Sequence, residues 1–343
     1  MVVVGIDIGK DVLFAHLRAA EGSPAFTPCA LPSVENTVAG CAHLLQWAAS
    51  HGNPPSELLV VMEATGVYWE TCALTLHQAG CHVSVINPAQ IKLFARSVLR
   101  RGKTDTMDAE IIARYGVVMQ PNVWEPPLSS VEELKVLVRE RETLLETLTQ
   151  ERNRLHALQH KARNITTVVA LVQQRIDLLK EQITVLDHAM HTLVSMNKGL
   201  SESLNLLLTV PGYGFVTAVS VLAETQCFRG LHSGRQLSAY AGIAPAPNQS
   251  GSMTGTAHIS KTGNEHLRRT AYLAAVGAMK CKGSVGQYYR QLRARGKPAK
   301  VALVALGRKI LGIGFAVVTS GLPYDDKFES KRTAGSLNQR VPC

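Results

Sequence analysis

Four carboxylates in the first third of the chain stand where they can do phosphate chemistry. Asp7 lies near the end of the apolar run Val2–Ile8, within Gly5-Ile6-Asp7-Ile8-Gly9-Lys10. Glu63 closes a second apolar run, in Val60-Val61-Met62-Glu63-Ala64-Thr65-Gly66. Asp105 and Asp108 are three residues apart in Lys103-Thr104-Asp105-Thr106-Met107-Asp108-Ala109. On a helix that spacing puts both on one face, with Cβ atoms about 5–6 Å apart. Carboxylates from two strand ends and one helix make a hard-oxygen set suited to Mg²⁺. Two such ions, about 3.5–4 Å apart, stabilise both the attacking and the leaving oxygen of a phosphoryl transfer. Plainer roles compete: Asp105 can cap a helix and Asp108 can be a surface acid. Asp7 and Glu63 are harder to dismiss, because an acid at the end of a buried strand is costly without a partner or a metal.

A second group lies in the last third. Asn248-Gln249-Ser250-Gly251-Ser252 is a polar, glycine-bearing loop ahead of a basic segment. A serine hydroxyl is a weak nucleophile until activated, and cations such as Lys261, Arg268 and Arg269 ease attack by neutralising phosphate charge. From the residues alone this is an ordinary loop, with Ser252 the nearest rival to Ser250. Residues 258–309 hold twelve Lys and Arg, including Arg290, Arg293 and Arg295, against one acid, Glu265. The net charge is +10, so the rest of the chain is close to neutral and the excess sits here, as on a surface that meets phosphates. Aromatics make up only 5% of the chain, which favours backbone and shape recognition over base stacking. Val210-Pro211-Gly212-Tyr213-Gly214 before an apolar stretch has the form of a helix-hairpin-helix. There Gly212 and Gly214 let the backbone approach a DNA phosphate.

The elements that must position these residues follow from periodicity. Val2–Ile8, Val12–Leu17, Leu58–Met62 and His82–Ile86 read as strands, and 34–50 and Trp69–Ala79 as helices. This alternation predicts an α/β sheet covered by helices. Pro126-Pro127 ends the first domain, and Ser129 to Glu133 opens a helix with a cap and an acidic first turn. Val172, Ile176, Leu179, Ile183, Leu186, Met190 and Leu193 alternate spacings of four and three, a heptad seam for a helical hairpin or coiled coil. The seam serves intrachain packing and an oligomer contact equally well. The expected division is 1–126, α/β and metal-binding; 127–200, helical; 201–326, mainly helical with the basic segment and the serine; and 327–343, a tail. With 46% hydrophobic residues in 343, the chain is not a disordered one. The uncharged run Ile310–Tyr324 is 15 residues, short of a membrane span, and no signal-peptide pattern precedes Asp7. Seven scattered cysteines without metal-ligand spacing fit a reducing cytoplasm.

Taken in order, these blocks resemble a family. Gly5-Ile6-Asp7, Met62 to Gly66, Ile86-Asn87-Pro88 and Lys103-Thr104-Asp105-x-x-Asp108-Ala109 look like the DEDD transposases of the IS110 insertion-sequence family. So do Val210-Pro211-Gly212-x-Gly214, Ala241-Gly242-Ile243-x-Pro245, Ser250-Gly251 and Ile259-Ser260-Lys261-x-Gly263-Asn264-x-x-Leu267-Arg268-Arg269. The resemblance spans about 5–325, with Tyr213 and Gly9 as small departures. It implies a RuvC-like (ribonuclease H) domain with Asp7, Glu63, Asp105 and Asp108 as Mg²⁺ ligands. It further implies a C-terminal transposase domain whose nucleophile is Ser250, and a homo-oligomer acting on double-stranded donor and target DNA. A bridge RNA as guide, a cytoplasmic location and association with the nucleoid come from the resemblance alone.

Rival readings use the same residues differently. A junction-resolving nuclease would use water in place of Ser250. An actin-like sugar kinase would share Gly5-Ile6-Asp7-Ile8-Gly9 but need a second phosphate loop, which is not evident. A non-catalytic nucleic-acid scaffold would leave the four carboxylates unexplained.

Overall fold

The computed structural model describes residues 2–19, 28–99, 104–163, 165–246, 249–250, 253–254 and 258–327. The chain divides into two compact units, Met1–Pro126 and Pro127–Cys343.

The first unit is built on a five-stranded sheet of order β3-β2-β1-β4-β5. Its strands are β1 (Val2–Ile8), β2 (Val12–Ala19), β3 (Cys29–Glu35), β4 (Leu58–Glu63) and β5 (His82–Ile86). β1, β2 and β3 form an antiparallel meander, while β4 and β5 join β1 in parallel. This mixed sheet with helices is the α/β arrangement expected of the first domain. One face packs on α1 (Val38–Ser50) and α2 (Trp69–Gln78) through Val4, Ile6, Cys41, Leu44, Cys72 and Leu76. The other carries α3 (Pro88–Ser97) and α4 (Asp105–Met119) on Val3, Leu59, Val61, Ile91, Ile112 and Tyr115.

Sequence reading extends the first helix back to Val34 and overlooks β3. The residues of β3 carry Pro32, which cannot donate to a ladder, so the strand is tolerated only at the sheet edge it occupies. The helix begins at Val38, where the Thr37 hydroxyl accepts from Gly40 N.

The second unit is helical. α5 (Ser129–Gln159) and α6 (Thr166–Met196) form a long hairpin, with Val172, Ile176, Leu179 and Ile183 of the heptad seam buried beside Leu148. The cap expected at Ser129 is absent: Leu128 is the capping position and gives no side-chain bond. Next come α7 (Lys198–Leu208), α8 (Phe215–Glu224) and α9 (Gly234–Tyr240). The short strands β6 (Pro245–Ala246), β7 (Gln249–Ser250), β8 (Met253–Thr254) and β9 (His258–Ile259) precede α10 (Glu265–Ala278), α11 (Ser284–Ala294) and α12 (Ala299–Ser320). α12 is long and apolar enough to cross a bilayer, yet half of it is buried and α7, α9, α10 and α11 pack on it. It is the central helix of this unit.

Two glycines decide how closely the helices approach. A Cβ on Gly5 of β1 would collide with the backbone of Ala109 and Ala113 in α4. One on Gly116 would fall 2.6 Å from Val3 Cγ1 and 2.7 Å from Val61 Cγ2. Gly5→Ala should therefore push α4 off the sheet at a cost of about 1–3 kcal/mol, read as a lower urea midpoint. A midpoint equal to wild type would contradict this packing. In the second unit, the buried Tyr213 hydroxyl has no hydrogen-bond partner among the described residues, and burial pushes its pKa up. Tyr213→Phe should leave the protein as stable or about 1 kcal/mol more stable, because an unpaired buried hydroxyl is removed. Clear destabilisation in thermal melts would reveal a partner for that oxygen.

Candidate active site

The sheet register and the helix on top of it build the acidic site. Val3, Gly5 and Asp7 share one face of β1 because strand side chains alternate. α4 runs antiparallel along that face: Gly116 meets Val3, and Ala113 and Ala109 meet Gly5. The first turn of α4 thus arrives at Asp7, bringing Asp105 and Asp108. One carboxylate oxygen from each of Asp7, Asp105 and Asp108 lies within 4.8 Å of the others. Asp105 is exposed, and Asp7 and Asp108 are half-buried. The Thr104 hydroxyl accepts from Met107 N and caps α4, so Asp105 is free of the capping role that sequence alone allowed it.

Glu63 reaches the same edge by strand register. β1 and β4 pair in parallel through Gly5↔Val61 and Ile6↔Met62, so the next step sets Asp7 beside Glu63 at adjacent strand ends. Its Oε1 accepts from the Thr65 hydroxyl at 3.4 Å. Glu63 does not join the 4.8 Å group of the three aspartates. All-oxygen donors from three or four carboxylates, partly open to solvent, suit a hard divalent cation.

Ser250 lies in β7, opposite Met253 of β8 in an antiparallel pair. The pair is carried between β6 and β9, where Pro245 faces Ile259 and Ala246 faces His258. Gly251 and Ser252, the rival serine, fall outside the described residues, as do Lys103 and the tail beyond 327.

Four of the six basic residues singled out from sequence have partners within the protein. Arg268 Nη1 donates to the carbonyls of Ala241 (3.2 Å) and Lys261 (3.1 Å), bracing both ends of the arm that bears Ser250. Arg269 pairs with Glu146 of α5. Arg290 donates to Cys281 O at 3.0 Å and Arg293 to Lys297 O at 2.6 Å. Lys261 and Arg295 are exposed, and Lys261 takes a left-handed conformation (φ 55°) where the arm returns. Gly212 (φ 102°) has a packing reason, since a Cβ there would lie 2.6 Å from Ala274 O of α10. A Cβ on Gly214 would meet nothing within 4 Å, so the backbone before α8 is open to approach.

Sequence reasoning missed Glu224, at the end of α8, whose side chain is 1% exposed. Arg139 of α5 donates to its two oxygens at 2.8 and 3.0 Å, and Asn264 Nδ2 donates at 2.6 Å. Asn264 also caps α10 by accepting from Leu267 N, and its own N–H donates to Tyr240 O at 2.7 Å. One buried carboxylate thus joins the hairpin, the helix after the Gly-rich turn and the residues closing the serine arm. An isolated Glu after an apolar helix gave no signal of this in sequence.

Burial alone would raise the Glu224 carboxyl, but the hydrogen bonds of Arg139 and Asn264 and the Arg139 charge outweigh it, and its pKa is lowered. A depressed carboxyl stabilises the fold fully above the ordinary Glu value of about 4.3, and the gain is lost as pH falls through the folded value. Glu224→Gln should cost about 3–5 kcal/mol at neutral pH, because it leaves Arg139 without its charge partner. It should also flatten the loss of stability below about pH 4.3. Chemical denaturation across pH checks both; equal acid sensitivity in the variant would contradict the assignment.

Two family models and several known proteins match most of the chain. The model of the IS110 DEDD transposases, described as a transposase, matches residues 4–163. A second, described as the transposase IS116/IS110/IS902 family, matches 204–290. A pilin gene-inverting protein of Moraxella bovis is 31% identical over 334 residues, covering 94% of this chain and 98% of its own. Its counterpart in Moraxella lacunata is 32% identical with the same coverage. An uncharacterized 43.6 kDa protein of insertion element IS110 from Streptomyces coelicolor is 24% identical over 395 residues. Among solved structures, Thermus thermophilus RuvC aligns at 20% identity with a TM-score of 0.27, over 36% of this chain and 99% of that one. The chain belongs to the IS110 family of transposases, enzymes that recombine DNA.

Proposed function

We propose that this transposase exchanges DNA strands through a transient phosphoserine link, with Mg²⁺ as its metal. Asp7, Glu63, Asp105 and Asp108 are the residues that would hold the ion. The observation that carries this reading is the approach of three aspartates from two elements to within 4.8 Å, a set of hard oxygen donors that suits a divalent cation. When bound, Mg²⁺ neutralises charge on the scissile phosphate and its leaving oxygen.

Ser250 is the proposed nucleophile. Its Oγ gives up its proton and forms a bond to phosphorus as the bond from phosphorus to the 3′ oxygen breaks, and that oxygen takes up one proton in turn to leave as a hydroxyl. A 3′ hydroxyl of the exchanged strand then attacks the phosphoserine and returns the serine. The phosphodiester energy is conserved, so no nucleotide triphosphate is needed. Lys261 at the return of the serine arm and Arg268 at its base place positive charge near this chemistry.

In this reading residues 1–126 hold the metal, 127–200 supply the helical hairpin, and 201–326 carry the serine and the basic segment. Gly214 with the open N-terminus of α8, and Arg295 with its neighbours, contact nucleic acid through phosphates. Guidance by a bridge RNA rests on the family resemblance. Assembly with further copies has support in the exposed row Leu171, Leu178 and Val185, seven residues apart on α6 and outside its buried seam. An activity at the nucleoid follows from these partners.

The test uses end-labelled DNA and denaturing gels. Asp7→Asn, Asp105→Asn or Asp108→Asn should abolish strand exchange, as should EDTA; full activity in EDTA would overturn the metal assignment. A protein–DNA band present in wild type should vanish in Ser250→Ala and persist in Ser252→Ala. Cutting by Ser250→Ala at the wild-type rate with no band would favour water as nucleophile, as in a junction-resolving nuclease.

A further inference from the structure

The β1–β4 ladder stops one step short of the acids it serves. Paired residues end at Ile6↔Met62, whereas Asp7 and Glu63 are the next residues along. Each acid is still paired on its other side, Asp7 with Phe14 of β2 and Glu63 with Ile86 of β5, and past Ile8 and Glu63 the two strands leave into separate turns. β1 enters a tight turn closed by Gly9 N donating to Val12 O at 2.9 Å. β4 enters a loop through Gly66 (φ 57°) to Tyr68, which precedes α2. Strand register sets the two acids side by side, but the β1–β4 ladder makes no direct pair between Asp7 and Glu63.

A single amide bridges the two turns. Asn36, in the connector between β3 and α1, donates from Nδ2 to Gly9 O at 3.0 Å and to Tyr68 O at 2.9 Å. An amide nitrogen has two hydrogens, so each carbonyl can receive its own. The backbone of Asn36 is anchored too, its N–H donating to Asp11 O at 2.9 Å. Gly9 is two residues past Asp7, and Tyr68 is five past Glu63. The amide thus carries the tie between β1 and β4 past the end of their ladder. Its Oδ1 is buried without a partner among the described residues, so the side chain is held by its donors.

We infer that Asn36 is a positioning residue that sets the distance between Asp7 and Glu63 and through it the metal affinity of the site. This rests on the metal reading given above. Groups that orient metal ligands without touching the ion commonly change affinity 10–100-fold when removed. An amide that only stitched two loops together would change stability and leave affinity alone.

The experiment measures Mn²⁺ binding to the full chain, without nucleic acid, by water-proton relaxation. The proteins compared are wild type, Asn36→Ala, the near-isosteric Asn36→Leu, and Asp7→Asn as control. Asn36→Ala and Asn36→Leu, folded by circular dichroism, should bind Mn²⁺ about 10–100-fold more weakly than wild type. Wild-type affinity in either folded variant overturns the inference while leaving the metal site intact. Wild type binding no better than Asp7→Asn takes down the metal site and this inference with it. A measurement on wild type alone covers the case in which neither variant folds. Coupling is reciprocal, so Mg²⁺ should slow hydrogen exchange at the Asn36 N–H and the Gly9 turn. Unchanged exchange there overturns the inference.

Discussion

The close approach of α4 to β1 is the constraint on which the first unit depends. Gly5 lets the helix backbone rest directly on the strand, and Gly116 repeats the contact one strand step back, against Val3 and Val61. Helix and strand are thereby locked in both direction and register. A helix laid antiparallel on a strand, with its first turn at the strand's C-terminal end, must place Asp105 and Asp108 over Asp7. The acids are close because Gly5, two residues before Asp7, and Gly116, eight after Asp108, let α4 lie directly on the sheet. The repulsion that results is tolerable at a partly exposed edge and becomes an advantage once a cation is bound.

The second unit solves a different problem, how to present a polar arm from a helical core. Gly212 lets the turn before α8 press against α10, and α8 ends in the buried Glu224. The carboxylate then gathers Arg139 from the hairpin and Asn264 from the foot of the arm. Arg268 ties Ala241 to Lys261, closing the arm at its base. Further contacts from α5, the Glu142–His266 hydrogen bond at 2.6 Å and the Glu146–Arg269 ion pair, run along α10. Several cations that look available to nucleic acid in sequence thus have a structural engagement, and binding there would compete with protein carbonyls or carboxylates.

The strands β1, β2, β4 and β5 were legible because each is a short, mainly apolar run rich in β-branched or aliphatic residues and bounded by turn residues. The edge strand β3 was not, since Pro32 and alternating exposure imitate a loop. The three aspartates could be listed from sequence, but their convergence depends on Gly5 and Gly116, whose role is visible only once α4 is seen against β1. Asn36 and Glu224 were invisible for a related reason. Each acts through partners 27 to 85 residues away, and no local spacing encodes such a bond. The basic segment was read correctly as charge, yet net charge does not say which guanidinium already has a carbonyl to hold.

The account stands on one claim, that Asp7, Asp105 and Asp108 together form a divalent-cation site. Crystals of the full chain soaked in Mn²⁺ and measured at a wavelength where manganese scatters anomalously would locate the ion without reference to activity. The account predicts an anomalous peak among these three carboxylates, bonded to oxygens, with Glu63 on its rim. A well-diffracting soaked crystal with no peak there, or with its strongest peak elsewhere on the chain, would contradict it.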